Sequence, residues 1–120
     1  MRIAAFAHDD GDRKAAEQLR GMGFEVAVFP PLPRWKALPK LLGSTPLTLA
    51  IYGSRALRAE VDGCIGGIDL AYAYSSSMGA FLERHAQKPR VMHFGELDSD
   101  KWRQYAERSS PPMHWVYARE

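Results

Sequence analysis

The sequence predicts an α/β fold in which helices cover a mainly parallel β-sheet. Short apolar runs alternate with segments whose apolar residues recur at helical spacing, which is typical of consecutive β-α-β units. Clusters of glycine, proline and polar residues separate these runs. The chain has 120 residues, and a single core spans roughly 50 to 200 residues. We therefore expect one domain, residues 1–120.

The first β-α-β unit covers residues 2–29. The apolar run 2–7 predicts a buried strand that ends in the polar cluster 8–12. Asp12 stands where a helix N-cap belongs, and apolar residues at helical spacing follow it as far as Met22. Residues 24–29 predict a second strand, which Pro30 ends because proline has no backbone N–H to donate.

The middle of the chain has a weaker pattern. Residues 34–42 are amphipathic, although Pro39 should kink or shorten a helix there. Residues 45–52 are compatible with a strand and with an extended crossover, and both interpretations stay open. Ser54 is predicted to cap a helix that runs to Cys64.

The second half predicts two more strands. Residues 68–74 form the clearest interior strand, and three serines that open a helix follow it directly. Residues 90–94 form another strand, and an acidic turn then leads to a helix at about residues 101–108. Asp98 or Ser99 is its expected cap. A further aromatic helix begins at Met113.

Composition excludes several classes of protein. The 16 basic and 14 acidic residues nearly cancel, so no global field attracts the chain to nucleic acid. Cys64 is the only cysteine and cannot form an internal disulfide, and no secretory signal pattern opens the sequence. No run of about 20 apolar residues is present to cross a bilayer. We therefore expect a cytoplasmic protein with no nucleic-acid partner.

Three polar turns are candidate binding residues, because ligands of parallel α/β sheets collect outside the carboxyl ends of the strands. They are residues 8–12, 75–77 and 93–98. Serine hydroxyls and free N–H groups at a helix start suit an anion or a sugar hydroxyl, whereas simple capping explains only one serine. Carboxylates in the last turn suit sugar hydroxyls or a general base, with helix-start electrostatics as the alternative. The predicted acceptor-binding residues are Ser75, Ser76, Ser77, His93, Glu96 and Asp98.

Metal and cofactor sites are not expected. The acidic loop 9–12 offers oxygen ligands for a divalent cation, but a loop and helix cap is the preferred interpretation. The four histidines lack the spacing of a zinc site. No glycine-rich phosphate loop is present.

Two aromatic or basic patterns allow a second interpretation. The segment 34–42 is either a surface helix packed on the sheet or a helix that lies on an anionic membrane. In the latter case the membrane or lipid-acceptor contacts are Arg34, Trp35, Lys36 and Lys40. Aromatic residues of the last two helices are either a stacking platform for sugars or bases, or part of a core, which is the usual place for this spacing. They are Trp102, Tyr105, Trp115 and Tyr117.

Several segments together resemble a known enzyme family. Residues 97–106 read Leu-Asp-Ser-Asp-Lys-Trp-Arg-Gln-Tyr-Ala, and the other matching motifs, in order, are Pro46-Leu47, Tyr52-x-Ser54, Tyr74-Ser75-Ser76-x-Met78 and Pro112-Met113-x-Trp115-x-Tyr117. Along nearly its whole length the chain resembles bacterial group 1 (family 4) glycosyltransferases of a subgroup associated with exosortase and exopolysaccharide systems.

The resemblance implies a fold and a function. Such enzymes have the GT-B arrangement of two Rossmann-like domains, one for the acceptor and one for the nucleotide-sugar. This chain corresponds to the acceptor-side domain, a three-layer αβα unit that lacks the first strand and the donor domain. The implied partner is a sugar or a lipid-linked sugar at the inner face of the membrane, with the nucleotide-sugar reached only through the missing domain. His93 and Glu96 stand where family members tend to carry aspartates.

Two function hypotheses follow from the resemblance. The first is an acceptor-binding domain of glycan biosynthesis that transfers sugar only with a donor domain supplied elsewhere. The alternative is a degenerate, non-catalytic module for binding or oligomerisation. Loss of a central strand would expose unpaired backbone, so we expect either a rearranged strand order or a homodimer that restores the sheet.

Overall fold

A computed structural model describes residues 1–33, 47–95 and 98–118. The predicted amphipathic segment 34–42 lies outside these ranges. The described chain is a mixed α/β structure, as the sequence predicts. Its elements are β1 (Arg2–Phe6), α1 (Asp10–Gly21), β2 (Glu25–Phe29), α2 (Leu47–Ile51), α3 (Arg55–Cys64), β3 (Ala71–Tyr74), α4 (Ser76–Gly79), β4 (Arg90–His93), α5 (Asp98–Arg108) and α6 (Met113–Tyr117).

The first β-α-β unit forms as expected, except for the helix cap. β1 and β2 are parallel, with Arg2 opposite Glu25 and Phe6 opposite Phe29. The N-cap of α1 is Asp9 and not Asp12, since the Asp9 carboxylate accepts a 2.9 Å hydrogen bond from the Asp12 amide. The Asp12 carboxylate instead accepts a hydrogen bond from the His8 amide and takes no part in the cap.

The second pair of strands is also parallel. β3 and β4 pair from Ala71 opposite Arg90 to Tyr74 opposite His93. The helix after β3 is only one turn long, and a 3₁₀ turn at Glu83–His85 follows. Within the described residues the four strands thus form two separate two-stranded sheets, β1-β2 and β3-β4, and not one continuous sheet.

The described part of the crossover between the two sheets contains two helices. Residues 47–51 form α2, which decides the open choice between a strand and an extended crossover. The Leu32 amide donates to the Ile51 carbonyl at 2.9 Å and joins α2 to the end of β2. Ser54 caps α3 as predicted, its hydroxyl accepting from the Leu57 amide at 3.2 Å.

The last two helices pack on each other through aromatic rings. The Trp102 ring stacks on the Tyr117 ring with centroids 5.7 Å apart, and Tyr105 contacts both. Trp102 and Tyr117 are half-buried, whereas Tyr105 is 47% exposed and Trp115 63% exposed, so these rings pack on one another without forming part of the buried core. α5 begins at Asp98, so Asp98 and Ser99 lie inside the helix and neither occupies the predicted cap position before it.

The buried apolar residues are mostly small. Leu57 of α3, at 2% exposure, is the only large side chain that is fully buried among the described residues. The others are Ala7, Ala16, Ala50, Ile65, Ala71, Ala73, Phe81 and Ala106. Across residues 1–33, 47–95 and 98–118, no helix has the length and apolar character needed to span a bilayer.

Leu57→Ala is expected to lower the free energy of unfolding by about 2–5 kcal/mol, because it leaves a cavity where the most fully enclosed large side chain stood. Alanine keeps the helix propensity of α3, so the loss reports packing. Chemical denaturation measures it. Leu49→Ala is the control, since Leu49 is 40% exposed, and equal losses in both variants would contradict this account of the core.

Candidate functional site

The turns after β3 and β4 meet at one edge of their sheet. The Ser75 amide donates to the His93 carbonyl at 2.9 Å. Beside this bond the Tyr74 and His93 rings stack, with centroids 5.0 Å apart and planes 21° apart. This placement follows from the parallel pairing, which puts the carboxyl ends of both strands on the same side. The sequence predicted this juxtaposition.

Ser75 has an unusual backbone conformation. Its φ of 80° and ψ of 154° lie in a region that L-residues other than glycine rarely adopt. Although Ser75 occupies the N-cap position of α4, its side chain makes no capping hydrogen bond. Its hydroxyl lies 3.0 Å from the hydroxyl of Ser77, which is 9% exposed. The strained turn thus holds two hydroxyls together beside the sheet edge.

Of the stacked pair, only Tyr74 lines the cleft between the two sheets. A Cβ built on Gly95 would lie 3.3 Å from the Tyr74 hydroxyl, so that hydroxyl covers the start of the turn after β4. His93 is exposed and does not line the cleft. Of the predicted binding residues, His93 is therefore a neighbour of the cleft and not part of its wall.

Several predicted site residues lie wholly or partly outside the described residues. Glu96 lies outside the described residues, and for Asp98 only the backbone position at the start of α5 is described. The predicted membrane or lipid contacts all fall outside the described ranges; they are Arg34, Trp35, Lys36 and Lys40.

A hydrogen-bonded Asp-His-Tyr cluster stands at the carboxyl end of β1. The Asp12 carboxylate accepts from the His8 amide at 2.7 Å and lies 3.3 Å from His8 Nδ1. His8 Nε2 lies 3.1 Å from the Tyr52 hydroxyl. When Nδ1–H donates to Asp12 and the ring is neutral, Nε2 accepts a hydrogen bond from the Tyr52 hydroxyl. The carboxylate thus orients the imidazole as a base toward a phenol.

The charge of Asp12 is stabilised by these bonds. The hydrogen bond from the His8 amide is the main cause that lowers the pKa of the Asp12 carboxyl, and the His8 ring contributes in the same direction. Burial opposes this effect but does not reverse it. Asp12 is therefore an anion at neutral pH and keeps its orienting role there.

The sequence found only part of this cluster. The turn at residues 8–12 was a candidate because it follows a strand, but Tyr52 is 44 positions from His8 along the chain and no local pattern joins them. Tyr52 was singled out only within the Tyr52-x-Ser54 motif. Tertiary packing of the Phe6 and Tyr52 rings, with centroids 5.1 Å apart, brings Tyr52 close to His8.

The Asp-His-Tyr cluster and the serine turn border the same cleft. The cleft lies between the two sheets and has a volume of about 1940 Å³. His8 and Tyr52 line it on one side, and Tyr74 and the three predicted serines Ser75, Ser76 and Ser77 on the other. The rim therefore combines hydroxyls, an imidazole and aromatic faces. In the described part of the chain no three His, Cys, Asp or Glu side chains are grouped to hold a metal ion.

Acid is expected to destabilise the protein partly through Asp12. Because the pKa of Asp12 is lowered in the folded chain, its contribution is complete above the unfolded-state value of about 3.9 and is lost as the pH falls through the folded-state value. Melting temperatures measured between pH 7 and acid should fall less steeply for Asp12→Asn than for the original chain. Asp10→Asn is the control, and an unchanged slope in Asp12→Asn would contradict the assignment.

Ser75→Gly is expected to raise the free energy of unfolding by about 1 kcal/mol. Glycine adopts the observed φ without the strain of about 1–3 kcal/mol that a side chain incurs, and part of this gain is offset by its freedom in the unfolded chain. Denaturant titration measures the change. Ser76→Gly, inside α4, should be destabilising, and a loss of stability in Ser75→Gly would show that the turn is not strained.

Comparison of the chain with protein-family models, with curated proteins and with solved structures found no match.

Proposed function

We propose that the chain is a glycosyltransferase-related acceptor-binding domain of exopolysaccharide or glycan biosynthesis. One observation carries the proposal: the carboxyl ends of β1 and β3 bring hydroxyl and imidazole groups and an aromatic ring to the rim of a single cleft. The groups are His8, Tyr52, Tyr74, Ser75 and Ser77. The resemblance of residues 97–106 to the glycosyltransferase motif supports the same class.

The rim suits a sugar in its chemistry. A sugar ring has hydroxyls around its edge and apolar C–H groups on its faces, so it needs donors, acceptors and a flat apolar surface. The paired Ser75 and Ser77 hydroxyls both donate and accept, and the partly exposed Tyr74 ring offers the flat surface. A few placed polar groups in a mainly apolar cleft are typical of small-molecule sites.

The proposal extends to the other residues of the two turns at the edge of the β3-β4 sheet. Ser76, which lines the cleft, would contact the same acceptor, and so would Glu96 and Asp98. Arg34, Trp35, Lys36 and Lys40 would approach a lipid-linked acceptor from a cytoplasmic, peripheral position on the membrane. The parallel β-α-β pairs support a Rossmann-like three-layer architecture for this domain.

Catalysis is assigned to a combination of two parts. In this proposal a donor domain holds the nucleotide-sugar, and the present chain holds the acceptor. The oriented His8 and Tyr52 pair would then stand beside the acceptor hydroxyl, whose proton would pass to the Tyr52 oxygen while the Tyr52 proton passes to His8 Nε2.

A second candidate function has a specific observation in its favour. One face of the β3-β4 sheet exposes large side chains: Tyr72 is 59% exposed, Tyr74 63% and Val91 47%. Register places Tyr72 opposite Val91 and Tyr74 opposite His93, so these residues share one face. An exposed apolar face favours association. The alternative is therefore a non-catalytic module that pairs with a second copy through this face.

Binding of simple sugars tests the proposal. We expect saturation-transfer NMR to detect glucose, galactose or mannose at millimolar concentration, with Tyr74→Ala weakening the best of them by about tenfold, or 1.4 kcal/mol. Tyr74→Phe should keep most of the affinity if the ring face is the contact. Glu17→Gln, on the exposed face of α1, is the control with no expected change.

The same samples separate the two functions. Sugar binding that depends on Tyr74 supports the acceptor domain. The absence of saturation transfer from every sugar, together with a dimer in light scattering that Val91→Lys dissociates, would reject the acceptor function and favour the association module.

A further inference from the structure

β1 has a backbone edge that pairs with no strand among the described residues, and this edge borders the cleft. The Met1 carbonyl accepts from the Glu25 amide at 3.2 Å, and the Ala7 amide donates to the Phe29 carbonyl at 2.9 Å. In a parallel ladder, alternate residues of a strand bond to one neighbour. These two bonds fix the phase, so odd-numbered residues of β1 bond to β2. The N–H and C=O groups of Arg2, Ala4 and Phe6 point away from β2.

β3 presents a matching edge. The Ala71 amide donates to the Pro89 carbonyl at 3.0 Å, and the Ser75 amide donates to the His93 carbonyl at 2.9 Å. The same alternation assigns the odd-numbered residues of β3 to β4. The backbone groups of Tyr72 and Tyr74 therefore point away from β4. Within the described ranges no strand pairs with either of these edges.

The two free edges run in the same direction. α3 lies antiparallel to β1, because Arg2 at the start of β1 approaches Glu60 in the second half of α3, whereas Phe6 at the end of β1 contacts Tyr52 just before α3. β3 follows the C-terminal end of α3 and so begins at the same end as β1. The contact of the Phe6 and Phe81 rings, with centroids 6.2 Å apart, places the other ends together.

Both edges border the same cleft. All residues of β1 and of β3 line it, and the lining is mainly apolar. Its volume of about 1940 Å³ exceeds the roughly 300–1,000 Å³ that is usual for a small-molecule site. Two parallel edges on the walls of such a cleft match a strand position below the polar rim. Neighbouring strands are about 4.8 Å apart, and one strand between two requires twice this spacing.

We propose that the cleft between β1 and β3 binds an extended, apolar β-strand of another polypeptide, parallel to both and hydrogen bonded to both. The completed order is β2-β1-partner-β3-β4. About five residues fill the length of β1, and they are uncharged, rich in valine or isoleucine and free of proline, because a central parallel strand is covered on both faces and donates on both edges.

A second copy of the chain fits this position less well. Each of the four described strands already pairs with a neighbour, so a copy that donated one of them would break its own sheet. The partner strand would end at the rim that carries Ser75 and His8, and the residues that follow it would complete that rim. The proposal stands on the strand edges alone and does not rest on sugar binding.

Hydrogen exchange of the free chain gives the first test. We expect the amides of Ala4, Phe6 and Tyr72 to exchange at least tenfold faster than those of Ile3, Ala5 and Ala73, which donate within the ladders. Equal protection of both sets would overturn the proposal. Protection of the first set that rises with protein concentration would assign the cleft to a second copy, and concentration-independent protection would assign it to another part of this chain.

Peptide binding gives the second test. The probe is an acetylated peptide of five alternating valines and isoleucines with a lysine at each end, and its control has proline at the centre. The probe should slow exchange at Ala4, Phe6 and Tyr72 at least tenfold, and the proline peptide should not. Failure of the probe to protect these amides at millimolar concentration would overturn the proposal.

Proline variants test the edge itself. Ala4→Pro removes an amide that faces the cleft and leaves the β1-β2 ladder intact, so the chain should stay folded by circular dichroism and bind the probe at least tenfold more weakly. Ala5→Pro removes a ladder bond and should lower stability instead. Tyr72→Pro tests the opposite edge if Ala4→Pro fails to fold. Unchanged binding in a folded edge variant would reject strand insertion.

Discussion

The parallel direction of the strand pairs is the constraint on which the rest of the structure depends. In each pair a helix or a helical turn returns the chain to the start of the next strand, so the carboxyl ends of β1, β3 and β4 open toward one rim. The polar turns border the same cleft only because these strand ends lie on the same side. A reversed strand would carry Ser75 or His8 to the far end of the molecule.

The rim combines a side-chain cluster and a backbone turn that are held in different ways. The Asp12, His8 and Tyr52 cluster is held by hydrogen bonds between side chains, and its carboxylate fixes the orientation of the ring. The Ser75 turn is held by the backbone, where a bond to His93 keeps a serine in a conformation suited to glycine. The two lie on opposite sides of the cleft, and each includes a contact between residues far apart along the chain, Ser75 with His93 and His8 with Tyr52.

The cleft lies beside a core of small side chains. Most of the buried apolar side chains are alanines, and Leu57 is the one large residue fully enclosed in the described chain. Among the described residues the free edges of β1 and β3 pair with no further strand, and proteins usually pair or cover such edges. A strand from another polypeptide would satisfy the backbone groups of these edges and enlarge the core in one step.

The sequence by itself determined the strands, most helices and the position of the polar turns. Runs such as residues 2–7 and 90–94 have local patterns, and the Ser54 cap is a local hydrogen bond that a short segment specifies. The sequence determined the ends of the helices less closely. Asp12 resembles the N-cap of α1 in sequence, but Asp9 takes this role and the Asp12 carboxylate accepts from His8. Residues 47–52 carried no decisive pattern, and contacts with the end of β2 accompany their helical form. Only the tertiary structure decided that the strands form two pairs with a cleft between them, and only it joined Tyr52 to His8. Such pairings depend on packing between residues that are far apart along the chain, which local periodicity does not encode.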